Sequence, residues 1–181
     1  MTREELEHII RASADITDQY EFVIVGSQSM LGQVPRPEPE FTVSMEADIY
    51  PLQEPGLADR IDGAIGEGSR FHETYGYYAQ GVGPETAVLP EGWLDRVHRI
   101  QNGNTNGRVG YCLDLVDLFL SKAAAGRDKD REFCMALIKH RHVVPDRALE
   151  LVPRMPMENK ARRTLRATIR RWAKAVREAG E

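Results

Sequence analysis

Apolar and polar residues alternate most clearly between Phe41 and Tyr50. Phe41, Val43, Met45, Ala47 and Ile49 fall on one side, and Thr42, Ser44, Glu46, Asp48 and Tyr50 on the other. A period of two predicts a strand with one buried face, and Pro51 ends it. A shorter apolar run, Glu21 to Val25, predicts a second strand that enters Gly26-Ser27-Gln28-Ser29 and a brief helix stopping at Gly32. Three prolines among Pro35, Pro37 and Pro39 make the next segment an extended loop.

Helical periods bracket these strands. Thr2 and Glu5 form a capping-box pattern ahead of Leu6, Ile9 and Ile10, with the helix expected to end near Ser13. Leu57 to Ile65 predicts a helix with Leu57, Ile61, Ala64 and Ile65 inward, closed by Gly66 and Gly68. Tyr75 to Val82 and Trp93 to Ile100 read as strands, and the turn residues Asn102 to Gly107 join the latter to Arg108–Leu113 as a hairpin. Asp114 caps a helix that runs to Gly126, and a further helix extends from about Asp128 to Lys139. In the tail, Leu165, Ile169, Trp172 and Val176 mark a helix over 157–179. The element order predicts an α+β fold, a small mixed sheet with helices around it.

Composition narrows the class. The chain has 181 residues, 41% hydrophobic and 29% charged, enough for an ordinary core. No apolar run approaches a membrane span, and the amphipathic start resembles no signal peptide, so a cytoplasmic protein without a membrane partner is expected. The two cysteines, Cys112 and Cys134, form no disulfide framework, and the histidines show no zinc-site spacing. The net charge of −4 hides an asymmetry: residues 1–150 hold 15 Lys and Arg against 25 Asp and Glu, whereas residues 151–181 hold 9 against 3. The basic row Arg163, Arg166, Arg170, Lys174 and Arg177 fits either solvated charge or a surface that guides RNA.

Three groups carry chemistry. Glu46 and Asp48, two apart on a strand, project to the same side, where a divalent ion with oxygen preference would relieve their repulsion; a solvent-exposed face is the other reading. Gly26, Ser27 and Ser29 follow a strand, where a glycine backbone and hydroxyls can hold phosphate oxygens; an ordinary capped turn has the same sequence. Lys122 sits on the apolar stripe of Leu115, Leu118 and Phe119, and Asp130 aligns with Phe133, Cys134 and Leu137. These two charges face inward either as a structural salt bridge or as part of a pocket.

Together these segments resemble the nucleotidyltransferase superfamily typified by polymerase-β-like enzymes. The matching residues are Val23-Ile24-Val25-Gly26-Ser27 and Glu46-Ala47-Asp48-Ile49-Tyr50. The segment Lys122-Ala123-Ala124-Ala125-Gly126-Arg127-Asp128-Lys129-Asp130 is similar to one in abortive-infection type toxins and their bacterial relatives. The resemblance implies a nucleotidyltransferase-like domain over 1–145, with a basic helical segment over 146–181. It implies transfer of a nucleotide from a nucleoside triphosphate to a hydroxyl of RNA or protein, and a toxin paired with an antitoxin protein. A catalytically weak relative that binds nucleotide, RNA or a partner is the alternative. The implied site residues are Glu46 and Asp48 on Mg²⁺ or Mn²⁺, Gly26, Ser27 and Ser29 on phosphate, Lys122 and Arg127 on phosphate oxygens, and Asp130 positioning the lysine or the acceptor. The sequence departs from the family where a third carboxylate is expected: Gln80 stands near that place, with Glu73 and Glu85 the acids in the neighbouring loops.

Overall fold

Thr2 starts the first helix with both halves of a capping box. Its hydroxyl accepts from the Glu5 N–H at 3.2 Å, and the Glu5 carboxylate accepts from the Thr2 N–H at 2.7 Å. Two amides at the helix start are thereby satisfied. The computed structural model describes residues 1–180 and shows α1 over Arg3–Thr17, past the end expected at Ser13. Ser13 is buried, Ala14 and Thr17 extend the inward stripe, and the helix closes at Asp18 with φ 55°.

The chain divides into two compact units, Met1–Thr86 with Arg96–Asp114, and Ala87–Asp95 with the chain from Leu115 on. The first unit holds β1 (Glu21–Val25), β2 (Glu46–Pro51), β3 (Tyr78–Gly81), β4 (His98–Ile100) and β5 (Val109–Cys112) in one sheet of order β3-β2-β1-β5-β4. β1 runs parallel to β5 and antiparallel to β2, β2 parallel to β3, and β4 antiparallel to β5. The mixed sheet with its helices is the expected α+β class. Leu6, Ile9 and Ile10 of α1 and Ile61 and Ile65 of α2 (Ala58–Ile65) share one core with Phe22, Ile24, Ala47 and Ile49 of the sheet. Each buried Leu, Ile or Phe side chain among these contributes about 1.5–3 kcal/mol. That burial locks the register, because a one-residue slip would exchange the two faces of β2. Glu46, Asp48, Tyr78 and Gln80 are thereby held on the opposite face.

Several element boundaries differ from the sequence pattern. The strand expected from Phe41 begins only at Glu46. Phe41 ends a 3-10 turn over Pro39–Phe41, and Val43 is 78% exposed. The ladder explains this: β3 joins at the Met45 carbonyl, which accepts from the Tyr78 N–H, and β1 pairs only from Asp48 onward. Alternation upstream of Met45 finds no neighbouring strand. Of the expected inward residues of α2, Ala64 is exposed. Trp93–Arg96 is a 3-10 turn, so β4 shrinks to three residues. α3 (Arg70–Tyr75) and α6 (Pro145–Leu151) are too short to show a helical period in sequence.

In the second unit, α4 (Leu115–Ala125), α5 (Asp128–Lys139), α6 and α7 (Asn159–Ala179) pack against one another. Leu165, Ile169 and Trp172 are buried, and Trp172 meets Phe119 edge-on at 6.3 Å. The boundary expected near residue 145 therefore falls inside this unit, because α4 and α5 share their packing with α6 and α7. Among the described residues, no helix is long and apolar enough to cross a membrane.

Candidate functional site

β1 ends at Gly26, whose backbone adopts φ 67° and ψ −170°. This is a region open essentially to glycine. The following segment, Ser27–Gly32, is a short 3-10 helix, the brief helix expected to stop at Gly32. Ser29 is fully buried, and its hydroxyl donates to the Gly26 carbonyl at 2.8 Å. Ser29 thus braces the turn from within, while Ser27 is half-buried at its rim. Gln28 is also buried and donates to the Phe41 carbonyl at 3.3 Å, tying the turn to the loop that leads into β2.

The acidic pair faces this turn. A Cβ at Gly26 would meet Asp48 Oδ2 at 2.0 Å, so the carboxylate lies against the glycine backbone. Glu46 projects from the same side of β2, its Oε2 accepting from the Tyr78 hydroxyl at 3.0 Å. Burial, followed by that hydrogen bond and the carboxylate charges, pushes the Tyr78 hydroxyl up to about 12. On the parallel neighbour β3, Tyr78 is registered with Glu46, and Gln80 with Asp48. The Gln80 amide lies against both acids; assigned by these acceptors with its nitrogen toward them, it donates to Glu46 Oε1 at 3.1 Å and to Asp48 Oδ1 at 3.2 Å. Sequence reasoning put Gln80 near the missing third acid but did not reveal these contacts. Their signal is the period of two in Tyr78-Ala79-Gln80, legible only once the β2–β3 register is known.

Two carboxylates are hard oxygen donors of the kind that Mg²⁺ and Mn²⁺ prefer, so Glu46 and Asp48 fit as ligands of one such ion. Among the described residues, no group of three or more His, Cys, Asp and Glu side chains is placed to hold a metal. Among the described residues, Glu73 and Glu85 therefore do not complete an acidic triad with Glu46 and Asp48.

In the second unit, Lys122, Arg127 and Asp130 come together. Gly126, at φ 68°, ends α4 and lets the chain reverse into α5. Asp130 is fully buried; Oδ1 accepts from Lys122 Nζ at 3.1 Å and Oδ2 from Arg127 Nε at 2.6 Å. Lys122 also lies over the Phe133 ring, 4.7 Å from its centroid. Burial alone would raise the Asp130 carboxyl, but the hydrogen bonds and charges of Arg127 and Lys122 outweigh it and hold the group below the usual carboxylate range. The lysine side chain is 11% exposed and the arginine 62%, so one carboxylate orients an inner and an outer cation.

A family model described as nucleotidyltransferase of unknown function (DUF6036) matches residues 4–174 of the chain. No curated protein and no solved structure matches it.

Proposed function

The chain belongs to this family of nucleotidyltransferases of unknown function, and on that premise we propose that it transfers a nucleotide from a nucleoside triphosphate to a hydroxyl acceptor. The observation that carries the reading is Asp48 set against the Gly26 backbone, with Glu46 on the same side of β2. Gly26 presents no side chain, which leaves room for the Asp48 carboxylate against its backbone; the Gly26 main chain and the Ser27 hydroxyl are the groups proposed to take phosphate oxygens. Glu46 and Asp48 are the residues that would hold Mg²⁺ or Mn²⁺. Such an ion supplies neutralisation and orientation of phosphate charge. Lys122 and Arg127 are proposed to contact phosphate oxygens, with Asp130 holding both in position. For the acceptor, RNA is supported by the exposed cations Arg163, Arg170 and Arg177 along α7.

The test is incorporation of label from radiolabelled nucleoside triphosphates into cell extract in the presence of Mn²⁺. The expected result is a labelled acceptor with the natural chain and none with Glu46→Gln combined with Asp48→Asn. Label that survives the double substitution overturns the assignment. A toxin role predicts growth arrest on expression that requires the same two acids. The second reading, a weakly catalytic nucleotide-binding relative, is favoured by one observation: Gln80 stands where a third acid is expected. It predicts saturable triphosphate binding without incorporation.

A further inference from the structure

We propose that Gln80 is a two-state member of the acidic site. Without a cation, its amide nitrogen bridges Glu46 and Asp48; with one divalent cation, the amide turns over and offers its oxygen as a third protein ligand. The inference rests on the reading of Glu46 and Asp48 as metal carboxylates.

The spacing carries it. The amide atom facing the acids lies 3.1 Å from Glu46 Oε1 and 3.2 Å from Asp48 Oδ1. Those separations suit N–H···O hydrogen bonds. They also match neighbouring ligands of an octahedral ion, whose bonds of about 2.1 Å place adjacent oxygens about 3.0 Å apart. An amide carries donor and acceptor on one planar group, and a half-turn of its terminal torsion exchanges them with little movement of other atoms.

The surroundings allow that turn and confine it. Gln80 is exposed, while its backbone is fixed by pairing with Asp48 in the β2–β3 ladder. Tyr78 holds the other oxygen of Glu46, so the acid stays in place as the amide rotates. A carboxylate at residue 80 could not bridge the two acids by itself, because three like charges would meet there. The amide therefore stabilises the cation-free pair and adds an oxygen without adding charge. Two negative charges and one neutral ligand match one divalent ion.

The experiment is titration of the full chain with Mn²⁺ alone, without nucleotide, followed by calorimetry and by the electron spin resonance of free Mn²⁺. The natural chain is expected to bind one equivalent. Gln80→Leu should weaken binding at least about tenfold, the lower end of the loss from removing supporting groups at metal sites. Gln80→Glu, close in shape, should tighten it, and thermal melting of each variant establishes that it is folded. In a Mg²⁺ titration followed by nuclear magnetic resonance, the Gln80 side-chain amide signals should shift and lose protection from hydrogen exchange. Binding that needs Glu46 and Asp48 but is unchanged in both Gln80 variants overturns this inference alone. Absence of binding, or binding that survives Glu46→Gln with Asp48→Asn, overturns the metal reading and this inference with it.

Discussion

Asp48 occupies the space that a side chain at Gly26 would need: a Cβ there would lie 2.0 Å from Asp48 Oδ2. The contact joins the end of β1 to β2 through the pairing of Val25 with Asp48. Gly26→Ala must therefore both strain a backbone at φ 67° and displace the carboxylate. The expected cost is about 1–3 kcal/mol of stability, together with loss of Mn²⁺ binding. Thermal unfolding and Mn²⁺ titration of the variant check the two effects separately.

Glu46 and Asp48 lie on the sheet face opposite the α1–α2 core, and both are only half-buried. Glu46→Gln with Asp48→Asn preserves their shape and removes two neighbouring negative charges. Nucleotide transfer should fall to background while the melting temperature stays equal or rises slightly. Parallel label-incorporation and melting measurements decide it.

Lys122 and Arg127 share Asp130, so losing one cation differs from losing the acid. Lys122→Met keeps the stem's packing and leaves Asp130 paired with Arg127. Its melting temperature should change little while triphosphate affinity falls, as measured by equilibrium binding. Asp130→Ala leaves a largely buried lysine without its counter-charge and should cost about 3 kcal/mol in denaturant unfolding.

Acid should weaken the fold through two buried carboxylates. Burial alone would raise both, but hydrogen bonds from Arg127 and Lys122 to Asp130, and from Asn104, Asn102 and Arg3 to Glu7, outweigh it and lower them. In the unfolded chain they return to about 3.9 for Asp and about 4.3 for Glu. As pH falls, the unfolded chain takes up these protons first. Their stabilisation is therefore complete above about pH 5 and disappears as pH drops through the lowered native values. Melting curves from pH 7 to pH 2 should show this decline, and Asp130→Asn with Glu7→Gln should flatten it from a lower starting stability.

The α7 cations give a salt-dependent prediction. Charge reversal at Arg163, Arg166 and Arg170 should reduce the slope of log affinity against log salt for single-stranded RNA by about 2, since each phosphate contact contributes about 0.7. An unchanged slope and affinity reduce α7 to a structural helix. Trp172 is buried against Phe119 and takes no part in base stacking.

Helix α1 began in the structure at the capping box read from Thr2 and Glu5, and α4, α5 and α7 followed the spacing of their apolar residues. β1 matched its apolar run, and the period of two placed Glu46 and Asp48 on one side of a strand. These features are local: a residue's direction along a helix or strand depends on its immediate neighbours. The inward turn of Lys122 and Asp130 was legible for the same reason.

By itself, the sequence determined the α+β class, the long helices, and the shared side of the two acids, because each follows from periodicity within one segment. Tertiary structure decided where the β2 alternation stops having a partner, which helices share a unit with α7, and that Gln80 rather than Glu73 or Glu85 meets the acids. Those outcomes depend on which distant segments pair and in which register. Glu46 reaches Tyr78, and Asp48 reaches Gln80, across more than 30 positions of chain. The burial that fixes this register belongs to the assembled α1–α2 core and to no single segment.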